Sequence, residues 1–152
     1  MEVGRMTRAE NAANNFYSGY NCSTSVALAF KDLIGKTTDE VVKDMMGFGG
    51  GMGHYRITCG AVSGMVYVIS NLKAKNTKEL SDKQALYDAI YPQIDKFNDL
   101  FGATDCKTLL SETHNTFKAL ERTKKYYEDR PCANIVYQAS QILEDYLNES
   151  SK

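Results

Sequence analysis

Residues 47–64 read Gly47-Phe48-Gly49-Gly50-Gly51-Met52-Gly53-His54-Tyr55-Arg56-Ile57-Thr58-Cys59-Gly60-Ala61-Val62-Ser63-Gly64. Seven of the chain's eleven glycines fall here, so the stretch begins as a loop. It ends as something else. From Cys59 to about residue 72 the apolar residues recur on almost every side. Val62, Val66 and Ile69 share the face of Cys59, while Ala61, Met65 and Val68 fill the others. A helix apolar nearly all round is buried, so a central helix is expected here, with Thr58 as its cap. Gly60 and Gly64 lie one turn apart on it. A glycine costs up to about 1 kcal/mol in a helix interior, and close approach of a second helix is the natural compensation.

Outward from this segment the pattern stays helical. There are two prolines, no tryptophan, and long runs rich in Ala, Leu, Glu, Lys and Gln. Residues 7–18 carry Ala12, Ala13, Phe16 and Tyr17 on one side, and Gly19 is a stop. Asn21 reads as an N-cap for a helix over 22–34, with Cys22, Val26, Ala29, Phe30 and Leu33 on its buried face, closed by Gly35. Thr38 or Asp39 caps a short helix with Val41, Val42, Met45 and Met46. Past a polar connection, Leu86, Ile90, Ile94, Phe97 and Phe101 mark a long helix that begins at Ser81 or Asp82. Pro92 should kink or break it near Tyr91 before Gly102 ends it. Asp105 caps a short helix with Cys106, Leu109 and Leu110. A weaker helical pattern covers 114–127. Pro131 opens the last helix, in which Cys132, Ile135, Ala139, Leu143 and Tyr146 recur every three or four residues. The tail from Asn148 is expected to fray. The fold class expected is all-α, a single bundle-like domain of about six to eight helices spanning 1–152.

Composition narrows the function classes. The chain has 152 residues, 43% hydrophobic and 24% charged, with a net charge of -1. That leaves no electrostatic footprint for nucleic acid or an anionic membrane. The longest apolar run, 61–69, is too short to cross a bilayer. The N-terminus has neither an apolar signal core nor a twin-arginine pair, so a cytoplasmic location is expected. In a reducing compartment four cysteines point to metal binding, redox chemistry or inert burial rather than structural disulfides. CxxC, CxxCH and zinc-finger spacings are all absent.

The cysteines share one context. Cys22 follows Asn21, Cys59 follows Thr58, Cys106 follows Asp105, and Cys132 follows Arg130-Pro131. Each falls in the first turn of an expected helix and on its apolar face. A helix start presents unpaired N–H groups and the positive end of the dipole, which lowers a cysteine pKa. Four buried thiolates are prohibitive alone but ordinary around a metal. The glycines suit such a site, because Gly49, Gly50, Gly51, Gly53 and Gly60 let backbone N–H groups approach an anionic cofactor. Arg56, Lys107 and Arg130 stand within three residues of a cysteine and offset negative charge. No strand precedes the glycine-rich loop and no Gly-Lys-Ser/Thr closes it, so a P-loop is not expected there, and the βαβ context of a Rossmann turn is missing. His54 and His114 read as surface histidines. Met45, Met46, Met52 and Met65 read as packing, and Tyr126, Tyr127 and Tyr137 as core or rim.

Cys22, then Cys59-Gly60-Ala61-Val62-Ser63-Gly64, then Cys106, then Cys132 resembles the C_GCAxxG_C_C family, described as redox-active. The Gly47–Gly53 loop and Asn21-Cys22 are similar to the family's usual sequence as well; His54-Tyr55 is a departure away from any cysteine. The resemblance covers roughly residues 10–147. It implies a redox site at the four cysteines and no defined substrate. The same helical unit resembles part of the split-Soret cytochromes, for which an iron–sulfur centre has been proposed. Lacking CxxCH, this chain does not take over their haem part. The expectation is an electron-transfer protein with Cys22, Cys59, Cys106 and Cys132 as metal ligands for an iron–sulfur cluster, [2Fe–2S] first. The alternatives are a thiol–disulfide protein with a catalytic pair such as Cys22 and Cys59, and a structural zinc site in an interaction module. The expected partners are a redox protein and a second copy in a homodimer, with no nucleic acid and no membrane.

Overall fold

The computed structural model describes residues 6–110, 122–129 and 131–150. Among these residues the elements are α1 (Arg8–Tyr17), α2 (Cys22–Leu28), α3 (Lys31–Ile34), α4 (Thr38–Met45), a 3-10 turn (Met46–Phe48), α5 (Gly60–Lys73), α6 (Leu80–Phe101), α7 (Cys106–Leu110), α8 (Lys124–Asp129) and α9 (Cys132–Ser150). The all-α class is as expected. The only extended pairing among the described residues is one antiparallel bridge between Thr58 and Asp105.

Short polar side chains set the helix starts. Thr7 accepts from the Glu10 amide at 3.1 Å while the Glu10 carboxylate accepts from the Thr7 amide at 3.0 Å, a reciprocal capping box. Thr37 and Glu40 repeat it at 3.2 and 2.9 Å. The cap of α4 is therefore Thr37, not Thr38 or Asp39, because only Thr37 has a glutamate three residues on. Asn21 caps α2 by accepting from the Thr24 amide at 3.0 Å. Gly35 and Gly102 close α3 and α6 in the left-handed conformation, with φ of 66° and 78°.

The expected 22–34 helix is two helices. Arg8 Nη1 takes the Ala29 carbonyl at 2.7 Å, and its guanidinium lies 5.2 Å over the Phe30 ring and bonds both Asp32 oxygens. Phe30 leaves the helical region at φ -120° and turns fully into the core. Pro92, conversely, does not break α6, which runs on through it. Leu86 and Ile90 before the proline and Ile94 and Phe101 after it pack on one core, so both halves are held in line. Helix α9 persists to Ser150, beyond the expected fraying point. Of the expected 114–127 helix, residues 114–121 lie outside the described residues, and its end forms α8.

Helix α5 is central. Its Ala61, Val62, Met65, Val68 and Ile69 are almost completely buried against α2, α6 and α9. Each large side chain so buried contributes about 1.5–3 kcal/mol. Val66 is half-buried. The glycine step on α5 receives α2 as expected. A Cβ on Gly64 would lie 2.9 Å from the Ser23 carbonyl oxygen and from Val26 Cβ, and one on Gly60 would lie 2.9 Å from the Ser23 nitrogen. The buried Ser23 hydroxyl in this seam donates to the Met45 carbonyl at 2.8 Å, so the close contact leaves no orphan. Met46 and Met52, expected in packing, are exposed.

Candidate metal centre

The loop between the 3-10 turn and α5 winds left-handed. Gly50, Gly51, Met52, Gly53 and His54 have φ between 59° and 74°, and Arg56 has 66°. For Met52, His54 and Arg56 that conformation costs about 1–2 kcal/mol each. Amides reach far back to hold it, Gly53 to the Gly47 carbonyl at 2.8 Å, Arg56 to Gly50 at 3.0 Å and Ile57 to Gly51 at 2.9 Å. The end of the loop is stitched to the start of α7. Cys59 N–H donates to the Thr104 carbonyl at 2.8 Å and Cys106 N–H to the Ile57 carbonyl at 2.6 Å. These bonds bring Cys59 beside Cys106. Gly51 must lack a side chain here, since a Cβ would lie 2.7 Å from Cys106 Cβ and from the Ile57 nitrogen.

Each cysteine stands at a helix start. Cys22 and Cys106 are the first residues of α2 and α7, and Asp105 caps the latter by accepting from the Thr108 amide at 2.8 Å. Cys132 opens α9 directly after Pro131. Cys59 is itself the N-cap of α5, one residue outside the helix it was expected to begin. All four line one cavity of about 40 Å³, together with Gly50, Gly51, Gly60, Arg56, Leu109, Leu110, Arg122 and Ile135. Gly49 and Gly53 do not reach it. They line a neighbouring groove with His54 and Tyr20. Gly49 packs against the Asn21 side chain, and Gly53 meets nothing within 4 Å, so its role is conformational. His114 and Arg130 lie outside the described residues.

None of the four cysteines forms a disulfide. At Cys59 and Cys22 the helix starts do not lower the thiol pKa as expected. Burial pushes Cys59 up to about 12; the Ala61 and Val62 amides pull it down, but by less. Those amides form no capping bond of ordinary geometry to the sulfur, so their influence is weak. Cys22 is raised well above the ordinary thiol value, first by hydrogen bonding with the Cys132 thiol, then by burial and by the other cysteines. Part of Cys22 remains exposed, but its sulfur is enclosed by the cavity wall. Without a cation, these two sulfurs are held as thiols.

The donor set fits a metal or small cluster. The four cysteines are among the residues that line a space about three times what one water needs. Gly51 and Gly60 bring backbone to its edge, and the buried Arg56 has its Nε and Nη2 unpartnered at its wall. Among the described residues, no three Cys, His, Asp or Glu side chains are grouped as ready metal ligands, so ligation requires the thiols to turn inward.

Two features escape a reading of the sequence. The first is the depth of Arg56, buried to 5% exposure where a solvated cation is the ordinary expectation. A signal exists, because the chain has no acidic residue between Asp44 and Glu79. The second is Arg122. It reaches across from the far side to the Phe16 and Tyr20 carbonyls at 3.3 and 3.1 Å, while its guanidinium stacks on Phe16, Tyr126 and Tyr127. The two tyrosines are thus rim packing around α1, as read.

Fold and site together define an all-helical protein with a four-cysteine cavity under a glycine-rich loop. The family model described as "Putative redox-active protein (C_GCAxxG_C_C)" matches residues 20–146, and the chain belongs to that family. No curated protein and no solved structure matches it. No helix among the described residues is long and apolar enough to cross a membrane.

Proposed function

We propose that this chain is a cytoplasmic electron-transfer protein, acting as one domain, in which Cys22, Cys59, Cys106 and Cys132 hold an iron–sulfur cluster. The observation that carries the reading is the meeting of four helix-start cysteines in one cavity beside a buried arginine that forms no ion pair among the described residues. The bound group would supply one-electron chemistry. The chain's part is to hold four sulfurs from four helices, to exclude water with Leu109, Leu110 and Ile135, and to present the Gly50 and Gly51 backbone to the centre. The small volume favours [2Fe–2S] over a larger cluster. Around the loop, Met46, Phe48, Met52, Tyr55 and Ile57 are exposed and form an uncharged apolar surface next to the site. A redox partner protein docks there. Substituting Tyr55 and Ile57 by serine should slow electron exchange with the partner and leave the spectrum unchanged; a doubled solution mass lost in the same variant would assign the surface to a homodimer.

Anaerobic purification, a visible spectrum, and iron, sulfide and zinc analysis test the centre. Charge-transfer absorbance with matching iron and sulfide supports it. Colourless protein with one zinc per chain makes this a structural zinc site. The hydrogen-bonded Cys22 and Cys132 thiols favour one second reading, a thiol–disulfide couple between those two residues rather than Cys22 and Cys59. Metal-free protein with a reversible Cys22–Cys132 bond in mass spectrometry would establish it.

A further inference from the structure

Arg56 is a cation inside the protein that meets no anion among the described residues. It is 5% exposed, and among the described residues no ion pair includes it. Its Nη1 donates to Cys106 Sγ at 3.5 Å, while Nε and Nη2 are buried without a partner. The backbone fixes it there. The residue has φ 66°, its N–H donates to the Gly50 carbonyl at 3.0 Å, and its carbonyl accepts from Lys107 N–H at 3.3 Å. An uncompensated buried charge costs several kcal/mol, and the left-handed backbone adds to that. Neither four neutral thiols nor a disulfide relieves the cost. An anionic centre does.

We propose that Arg56 is the built-in counter-cation of the cysteine centre, placed to offset the charge of a four-thiolate site so that the fold is balanced with the centre occupied and unbalanced without it. This rests on the metal-centre reading. Four thiolates around a divalent ion carry two net negative charges, and Arg56 cancels one. Lys107 is exposed and screened by water, the half-buried Asp105 is taken up in capping α7, and Arg122 is committed to the Phe16 and Tyr20 carbonyls, so none of them substitutes. Arg56 is a positioning residue: it acts on the ligand sulfurs and through them on the metal.

The test uses the reduced, metal-free full chain and anaerobic titration with Co²⁺, whose thiolate charge-transfer band reports ligation. Arg56→Met should weaken Co²⁺ binding about 10- to 100-fold, the range for lost outer-shell partners, and Arg56→Lys should stay within a few-fold of the wild type. Urea unfolding of the metal-free proteins supplies a readout that a merely structural role would move in the opposite direction. The midpoint of Arg56→Met should equal or exceed that of the wild type, because an orphan charge has been removed. Equal Co²⁺ affinity in wild type and Arg56→Met overturns the inference while leaving the metal centre standing. So does metal-free Arg56→Met that is destabilised, or that fails to fold along with Arg56→Gln. A wild-type chain that takes up no Co²⁺ removes the metal-centre reading and this one with it.

Discussion

Reduced, metal-free protein should lose stability steeply above pH 9, and Cys59 should account for much of the loss. In the unfolded chain this thiol deprotonates near its ordinary value of 9.0; in the folded chain burial, with Cys132 and Cys106 nearby, holds it protonated until about 12. Between those values the unfolded state binds fewer protons than the folded one, so unfolding becomes easier as pH rises. The contribution is intact below pH 9 and gone above pH 12. Three pH units at 1.36 kcal/mol each come to about 4 kcal/mol, a large share of the 5–15 kcal/mol that holds a domain together. Cys22 is raised too and titrates in any variant that keeps it, so the useful comparison is wild type against Cys59→Ala. Urea unfolding under anaerobic reducing conditions at pH 7.5, 9, 10 and 11 gives two profiles. By pH 11 the wild type should have lost about 3 kcal/mol more than Cys59→Ala, measured from each protein's own value at pH 7.5. Parallel profiles would refute the picture of Cys59 as a buried neutral thiol. Metal loading should reverse the trend, since thiols must shed protons to ligate and affinity then rises with pH.

Other perturbations separate the site from the scaffold. Gly60→Ala would set a Cβ 2.9 Å from the Ser23 nitrogen and 3.2 Å from Cys22 Cβ, so it should cost about 1–3 kcal/mol in urea unfolding and weaken Co²⁺ binding by parting α5 from α2. Gly53→Ala meets no atom within 4 Å and bears only its φ of 59°; about 1 kcal/mol should be lost with Co²⁺ affinity unchanged. Thr37→Ala removes one capping bond far from the cysteines and should cost about 1 kcal/mol with no effect on metal binding. Arg8→Ala should cost about 1–2 kcal/mol, chiefly through the freed Ala29 carbonyl, because the exposed Asp32 carboxylate adds little. The Asp32 carboxyl lies below its ordinary value because of Arg8, so that small share is present at neutral pH and fades as the pH falls through the acidic range.

The helix-start placing of all four cysteines was legible because the signals are local. Asn21 and Asp105 cap their own helices, Pro131 opens one, and Gly60 and Gly64 mark the seam that α2 enters. The break at Phe30 was not legible, since it depends on Arg8, which reaches the Ala29 carbonyl from another helix. The Cys22 and Cys59 thiols went the other way from the helix-start argument because that argument sees the dipole and not the burial, and burial dominates at Cys59. Gly49 and Gly53 look like their neighbours in the sequence. Only the hand of the loop decides that Gly50 and Gly51 meet the cysteines and these two do not.

That left-handed loop also governs how the cavity opens. Its long-span bonds, from Gly53 to Gly47, Arg56 to Gly50 and Ile57 to Gly51, overlap along the chain, so releasing one leaves its residues clasped by the others. Such an arrangement yields as a unit. The Gly53, Arg56 and Ile57 amides should exchange with solvent deuterium at one common rate, and the same opening uncouples Ile57 from Cys106. If the cysteines hold the proposed centre, the frequency of that single event would set the clock on which its metal enters or leaves.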